Sequence, residues 1–569
     1  MKLKGINASS GIGMGRAYCL IPQNTETASV FQGAEREIQR LREAGERFIE
    51  RTSAMAEKLR QRLGGSESEI LLGQITMLGD PYMQEQMENL ITGGSTAENA
   101  VTEVCTMFAE MFDGLDDDMM RQRATDVRDM MARLKDILAG REQPDLSALP
   151  EGTVLVAHDL TPSMTVGLSP ERVCAVVTEV GGVTSHSAIL ARALGIPAVL
   201  SVPDALRQIA QGAELIVDGE AGEIIIEPDA AEREAALTAL EALARRKELL
   251  RLYQGRPTCD ADGNHYDLYA NIGTPRDAEG AAAADAEGIG LFRTEFLFMD
   301  RSSLPDEEEQ LAAYLAASEA MGGRELIIRT LDVGGDKAID YLGMEKEDNP
   351  FLGHRAIRYC LDNPEMFRTQ LRALLRAGAE KHNIRIMLPL VTCLEELRAA
   401  RKLLEECKAE LKAEGLDYDA EIKLGIMVET PAAALMADVL ARESDFFSIG
   451  TNDLTGYTMA ADRGNAGVAK LYTAYQPAVL RSIRGIIAAG RAAGIPVGMC
   501  GEAAADPLLT PLLISFGLTE FSVSASAVLA TRAAIAAWSK SDADAAAGKA
   551  MEYTDAAGVK ACLRSLARG

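Results

Sequence analysis

Between Thr25 and Leu138 apolar residues recur at three- and four-residue spacing, as in Ile38, Leu41, Phe48 and Met55, and the pairs Gly64-Gly65 and Gly93-Gly94 interrupt the run. That spacing gathers apolar side chains on one face of a helix, and the glycine pairs mark turns. The stretch predicts a helical bundle. From Pro144 to Pro228 the pattern shortens to β-rich runs: TVLVAH, CAVVTEV, PAVLSV and LIVDGEAGEIIIEP, the last a predicted hairpin. One helix, SHSAILARAL, lies among them. Asp229 to Leu252 is rich in Ala, Glu, Arg and Leu and lacks Gly and Pro. It predicts a connector helix of roughly 36 Å at about 1.5 Å per residue.

The remainder alternates strand and helix patterns. Eight apolar runs, LYANI, GIGLFRTEF, ELIIRTLDV, IRIMLPLV, KLGIMVET, FFSIGTND, PVGMCGE and EFSVSA, are each followed by a segment able to form a helix. Eight β/α units in this length fit a closed parallel barrel better than an open sheet. Polar residues gather where the runs end: Asn271, Arg293 with Glu295, Arg329 with Asp332, Glu429, Asn452 with Asp453, and Cys500. In such barrels the C-terminal ends of the strands carry the chemistry, so these side chains are expected at one mouth.

Composition narrows the partners. The 58 Lys and Arg against 85 Asp and Glu leave a net charge of −27 over 569 residues. So acidic a surface argues against nucleic acid or anionic membrane as the main partner and suits a basic one. No apolar run approaches the roughly 18–20 residues of a membrane span, and the first residues lack the apolar stretch of a signal peptide. Nine scattered cysteines without a CxxC pair indicate neither a disulfide framework nor a zinc site. The cytoplasm is the expected location. The acidic loop Asp113–Asp118 is either a solvated turn or a docking surface.

Two sites follow. At the barrel mouth, Arg293, Arg329 and Arg463 are expected to converge with Lys337, since planar guanidinium groups suit bidentate binding of carboxylate and phosphate. Glu429 and Asp453 offer two hard oxygen ligands on neighbouring strands, a pattern for Mg²⁺. The mouth is suited to a small, multiply anionic, metal-assisted substrate. The second site is in VGGVTSHSAILARALGIPAV. There Thr184 and Ser185 place hydroxyls at a helix start, and His186 falls in the first turn, where the helix dipole disfavours imidazolium and leaves a neutral nucleophile.

Together these segments resemble Enzyme I of the bacterial sugar phosphotransferase system, the phosphoenolpyruvate–protein phosphotransferase family. GGVTSHSAILARALGIPAV resembles its phosphohistidine signature. GLFRTEFLFMDR, RTLDVGGDK, NPFLGHRAIR, GIMVETPAA, FFSIGTNDLTGYTMAADRGN and VGMCGEAAAD resemble barrel segments of the wider phosphoenolpyruvate-utilising group. The resemblance implies a multidomain α/β chain. Residues 1–24 begin a phosphohistidine β/α swivelling domain that continues over 144–228. A helical subdomain that binds the phosphocarrier HPr is inserted over 25–143, and a linker helix spans 229–252. A (β/α)8 TIM barrel over 253–569 binds phosphoenolpyruvate and forms a homodimer.

By the same resemblance His186 accepts the phosphoryl group from phosphoenolpyruvate and passes it to HPr, the first step of sugar uptake, and Thr165 orients its ring. Arg293, Arg329, Asn452, Arg463, Lys337 and Arg355 bind substrate. Glu429 and Asp453 ligate Mg²⁺, or Mn²⁺ in its place, and Cys500 gives a proton to yield pyruvate. Val183, Met164, Gly456 and Ala505 depart from the family's usual residues. The alternatives are a regulatory paralogue, which carries an added sensory domain, and a dikinase or phosphoenolpyruvate synthase, which carries an ATP-grasp domain where the helical pattern stands here.

Overall fold

The computed structural model describes residues 1–569 apart from 22–29, 63–64, 115–117, 142–145, 166, 183–184, 300, 302, 335–338, 346, 464, 466 and 569. The side chains of 60–62, 65–69, 118–122, 162, 165, 186, 193 and 340 also lie outside this description. The chain divides into two units, Met1–Arg245 and Arg246–Gly569.

In the first unit an eight-stranded mixed sheet stands beside a bundle of helices. Three strands come from the N-terminus, β1 (Lys2–Lys4), β2 (Ile6–Ser9) and β3 (Ile12–Leu20). Five follow the bundle: β4 (Thr153–Ala157), β5 (Val173–Thr178), β6 (Ala198–Leu200), β7 (Glu214–Asp218) and β8 (Glu223–Ile226). Their spatial order is β1-β8-β7-β3-β4-β5-β6-β2, with β3 to β6 mutually parallel and β7–β8 the predicted hairpin. Both faces are covered, and β4 shows why its sequence is apolar throughout. Leu155 and Ala157 pack on one face with Leu160, Ala188 and Leu190, while Val154 and Val156 pack on the other with Val177, Leu215 and Val217.

The bundle, inserted between β3 and β4, comprises α1 (Ala34–Arg62), α2 (Gly65–Leu78), α3 (Pro81–Thr92), α4 (Ala97–Asp113) and α5 (Asp118–Leu138). Its core joins Phe48, Met83, Met87, Ile91, Val101, Val104, Val127, Met130 and Leu134. Three more helices lie among the strands: α6 (Pro162–Thr165), α7 (His186–Leu194) and α8 (Ala205–Gln208). The connector α9 (Ala230–Arg251) runs across the boundary between the units and has Ala236 as its one buried residue. The long, mostly exposed surface of α9 explains its sequence without an apolar face.

The second unit is a closed barrel of eight parallel strands: β9 (Asp267–Ile272), β10 (Gly288–Arg293), β11 (Leu326–Arg329), β12 (Ile384–Leu388), β13 (Lys423–Val428), β14 (Phe447–Ile449), β15 (Val497–Met499) and β16 (Glu520–Ser524). Alternate residues face in and out. Ile327 points inward to a layer with Tyr269, Leu291, Met387, Met427, Phe446 and Cys500, while its neighbours Leu326 and Ile328 join the larger core beneath the outer helices. All eight expected strands are present. No helix among the described residues is long and apolar enough to cross a membrane.

Candidate active site

Parallel register brings strand ends together at the barrel's C-terminal side. Arg293 and Arg329 are register partners on β10 and β11. Arg293 is exposed and, among the described residues, makes no ion pair. Arg329 is buried: its Nη2 donates to Glu295 Oε1 at 2.7 Å and its Nη1 lies 2.8 Å from Asp332 Oδ2. Arg355 arrives from a loop to the other side of the same carboxylate, with Nη2 donating to Asp332 Oδ1 at 2.8 Å and Nη1 at 3.5 Å from Asp453 Oδ2. Asp332 therefore bridges two buried guanidinium groups. Gly334 permits the approach: its φ is +104°, and a Cβ there would lie 2.5 Å from Arg355 Cβ. Nε of Arg329 and Nε of Arg355 are buried without a hydrogen-bond partner among the described residues. Buried N–H groups are rarely left so.

Glu429 follows β13 and is buried, with Oε1 accepting the Leu390 amide at 2.7 Å. Leu390 holds that N–H in place at φ +56°, and Ala356, next to Arg355, is at φ +53°. Two non-glycine residues in the left-handed region flanking one mouth mark a constrained site. Gly450 makes room for the acid, since a Cβ there would fall 2.6 Å from Glu429 Oε2. Burial pushes the Glu429 carboxyl up to about 8, the charges of Asp453 and Asp332 push the same way, and Arg329 and Arg355 oppose them. Arg329 and Arg355 lose to burial but gain more from these carboxylates, and both stand above the ordinary arginine value.

Asn452 and Asp453 do not stand on a strand. β14 ends at Ile449, and the helix Thr451–Met459 begins after Gly450, which puts both residues in its first turn. Asn452 Oδ1 accepts the Glu502 amide at 3.3 Å, and its carbonyl accepts the Tyr472 hydroxyl at 3.1 Å. Arg463 is exposed in the turn beyond this helix and acts electrostatically on Tyr472. Cys500, just past β15, is buried. Its Sγ lies 3.9 Å from the Ile449 carbonyl, and burial pushes its thiol up to about 11, against a bond to Ser448. Asn271 serves the frame: its Nδ2 donates to the Cys500 and Ser522 carbonyls, and its Oδ1 accepts the Ser522 hydroxyl.

Lys337 lies outside the described residues. Sequence reasoning gave Glu295 and Asp332 no partner and passed over Tyr457, whose hydroxyl accepts Arg355 Nη1 at 3.4 Å. It lies four residues, about one helical turn, beyond Asp453, and that spacing was its available signal. A separate close group, His265, Asp267 and Glu287, lies at the opposite, N-terminal end of β9. Both Glu287 oxygens there already accept protein donors.

In the first unit His186 is the first residue of α7. Ser185 caps the helix, its side chain accepting the Ala188 amide at 3.3 Å, and Gly195 ends it at φ 66°. Thr165 is the last residue of α6. The side chains of His186 and Thr165, and all of Val183 and Thr184, lie outside the described residues.

Three segments match the family of PEP-utilising enzymes: residues 4–123 its N-terminal part, 149–222 its mobile domain and 247–540 its PEP-binding domain. A phosphoenolpyruvate-protein phosphotransferase of Streptococcus equinus is 45% identical over 536 residues, which is 93% of this chain and 92% of that one. Its counterpart in Priestia megaterium is 43% identical over 548 residues, 95% of either chain. The Bacillus subtilis (strain 168) protein of the same name is 44% identical over 548 residues, again 95% of both.

Proposed function

We propose that this chain, which belongs to the phosphoenolpyruvate–protein phosphotransferases among the PEP-utilising enzymes, phosphorylates itself on His186 from phosphoenolpyruvate and hands the group to a histidine of the phosphocarrier HPr. The observation that carries the reading is the set of charges at one barrel mouth: Arg329 and Arg355 bridged by Asp332, with Glu429 and the Cys500 thiol beside them. Arg293, Arg329, Arg355 and Arg463, with Asn452 and Lys337, bind the carboxylate and phosphate of the substrate. Cation-rich positioning is what a loose, charge-spreading phosphoryl transfer needs.

The P–O bond to the enol oxygen breaks as Nε2 of His186 bonds to phosphorus, and the enolate takes a proton from Cys500 at its terminal carbon to give pyruvate. A thiol pushed up to about 11 holds its proton through neutral pH and has one to give. Glu429 and Asp453 fit Mg²⁺, or Mn²⁺ in its place, because the Asp453 charge raises the cost of ionising the buried Glu429 and a hard cation relieves it. When bound, such an ion neutralises charge on the phosphoryl and enolate oxygens. Thr165 orients the His186 ring, and the acidic charge of the chain suits a basic phosphocarrier docked on the helical bundle. The reading places the protein in the cytoplasm, as a homodimer through its barrel unit, at the first step of sugar uptake. Incubation with ³²P-labelled phosphoenolpyruvate and Mg²⁺, followed by mapping of acid-labile label, tests it. Label on His186 is expected, and label elsewhere or none overturns it.

A further inference from the structure

A path of hydrogen bonds and one short stretch of backbone, Asp159 to Thr161, runs from the helical bundle to the residue beside His186. Its bundle end is fixed from several sides. Arg133 lies with its guanidinium 4.4 Å from the Phe48 ring centre, and donates to Thr52 Oγ1 at 2.6 Å and to Gln74 Oε1 at 3.0 Å. Gln74 in turn donates its Nε2 to Asp129 Oδ2 at 2.9 Å. The other oxygen of Asp129, Oδ1, leaves the bundle and accepts the hydroxyl of Ser163 on α6 at 2.8 Å. Asp129 and Ser163 are each 4% exposed, so water does not substitute for either partner.

Beyond Ser163 the path continues through a short loop. Ser163 Oγ lies 3.1 Å from Thr161 Oγ1, and Asp159 Oδ1 accepts the Leu160 amide at 2.8 Å and the Ser187 hydroxyl at 3.0 Å. Ser187 is the second residue of α7 and is 1% exposed. The loop 159–165 is thus tied at one end to the bundle and at the other to the start of the helix that His186 opens. A packing contact alone needs no buried carboxylate here. What Asp129 supplies is one oxygen for each side of the boundary, and a buried charge-assisted bond is directional.

We propose that Asp129, acting through Ser163, is a positioning residue for phosphoryl transfer at His186: it holds the loop 159–165 and so the first turn of α7 in the reactive setting. The proposal rests on the reading of His186 as phosphoryl acceptor. Without the bond, the loop and the imidazole backbone sample other settings, while substrate binding at the barrel is untouched.

The test uses the full chain, ³²P-labelled phosphoenolpyruvate and Mg²⁺, together with ¹⁵N resonances of the His186 ring. Wild type comes first: absence of label on His186 defeats the functional reading itself and is distinct from any result on the variants. A buried hydrogen bond to a charged group is worth enough for about a tenfold rate change. Ser163→Ala is therefore expected to slow His186 labelling about tenfold, in kcat and not in KM for phosphoenolpyruvate, and to shift and broaden the ring resonances. Asp129→Asn keeps the geometry of both links, its carbonyl accepting from Gln74 and its amide donating to Ser163, but loses the charge, and is expected to slow labelling less than Ser163→Ala does. Wild-type rate and unmoved resonances in Ser163→Ala overturn the proposal, as does a loss in Asp129→Asn that equals or exceeds it. Should Ser163→Ala melt early, Ser163→Cys keeps the volume with a weaker donor, and the same two readouts decide.

Discussion

Cation binding at the barrel mouth is expected to follow pH with a slope set by Glu429. Its carboxyl is driven from 4.5 to about 8 by burial and then by Asp453 and Asp332, against the pull of Arg329 and Arg355. A carboxyl ligates a hard cation only after losing its proton, so binding releases that proton and affinity tracks the ionised fraction. A group titrating at about 8 is roughly 1% ionised at pH 6, so Mn²⁺ affinity there is expected about 100-fold below its plateau, climbing about tenfold per pH unit. Electron paramagnetic resonance of Mn²⁺ across pH 6 to 9 reads the slope. Calorimetric titration in two buffers of different ionisation heat counts the proton, expected near one at pH 6.5 and near zero at pH 9.

The same proton enters the stability of the cation-free barrel. Because the folded value lies above the unfolded one, its contribution is complete below about pH 4.5 and is lost as pH rises to about 8, up to roughly 5 kcal/mol at about 1.4 kcal/mol per pKa unit. The single tryptophan, Trp538, lies in the barrel unit and reports its unfolding alone. Glu429→Gln should bind Mn²⁺ more weakly, with a flat pH profile, and should lose less stability than wild type between pH 5 and 8. A wild-type binding profile flat from pH 6 to 8 with no proton released would refute the reasoning: Glu429 would then be either ionised already or not a ligand.

Three further outcomes are expected. Cys500→Ala removes the proton held beside the mouth and should cut turnover by about 10²–10⁴-fold, the usual worth of general acid catalysis, with phosphoenolpyruvate affinity nearly kept; turnover at the wild-type rate contradicts the assignment. Asp332→Asn deprives two buried guanidinium groups of their shared charge and should cost the barrel about 3–5 kcal/mol in denaturant unfolding followed by Trp538; a loss under about 1 kcal/mol would show that Glu295, Glu429 and Asp453 suffice. A fragment ending at Leu252 carries the sheet, the bundle and α7 but none of the mouth. It should melt cooperatively and exchange phosphoryl groups with phosphorylated HPr, yet take no label from phosphoenolpyruvate, and the reverse pattern would overturn the division of labour.

Which features were legible in the sequence follows from the range of the forces involved. Each barrel strand is buried on both faces, so it reads as an apolar run whatever its neighbours are, and KLGIMV or ELIIR announces itself locally. The polar residues after those runs were legible for the same reason. Their pairing was not: Arg355 meets Asp332 across 23 residues within one strand-to-strand connection and Asp453 across nearly a hundred, contacts that only the tertiary fold creates. Asp453 was placed at a strand end because FFSIG runs into TND without a break in pattern. Gly450, adopting the conformation that starts a helix, turns the chain one residue earlier and sets Asn452 and Asp453 on a helix instead. The Leu390 amide at Glu429 left no trace at all, since a backbone donor has no side-chain signature.

Two acids at the mouth are both pushed up by burial, Glu429 to about 8 and Cys500 to about 11. Glu429 sits among Asp332, Asp453, Arg329 and Arg355, where the positive charge of a cation would favour its ionised form. Cys500 sits against the apolar layer of Leu291, Ile327 and Met427, and its perturbation is dominated by burial. A divalent cation would bring more positive charge than the ionised Glu429 adds negative, so on the proposed reading what keeps the thiol protonated is its burial. If the proposed roles hold, loading the mouth strips the proton from Glu429, which must bind, while burial keeps one on Cys500, which must donate.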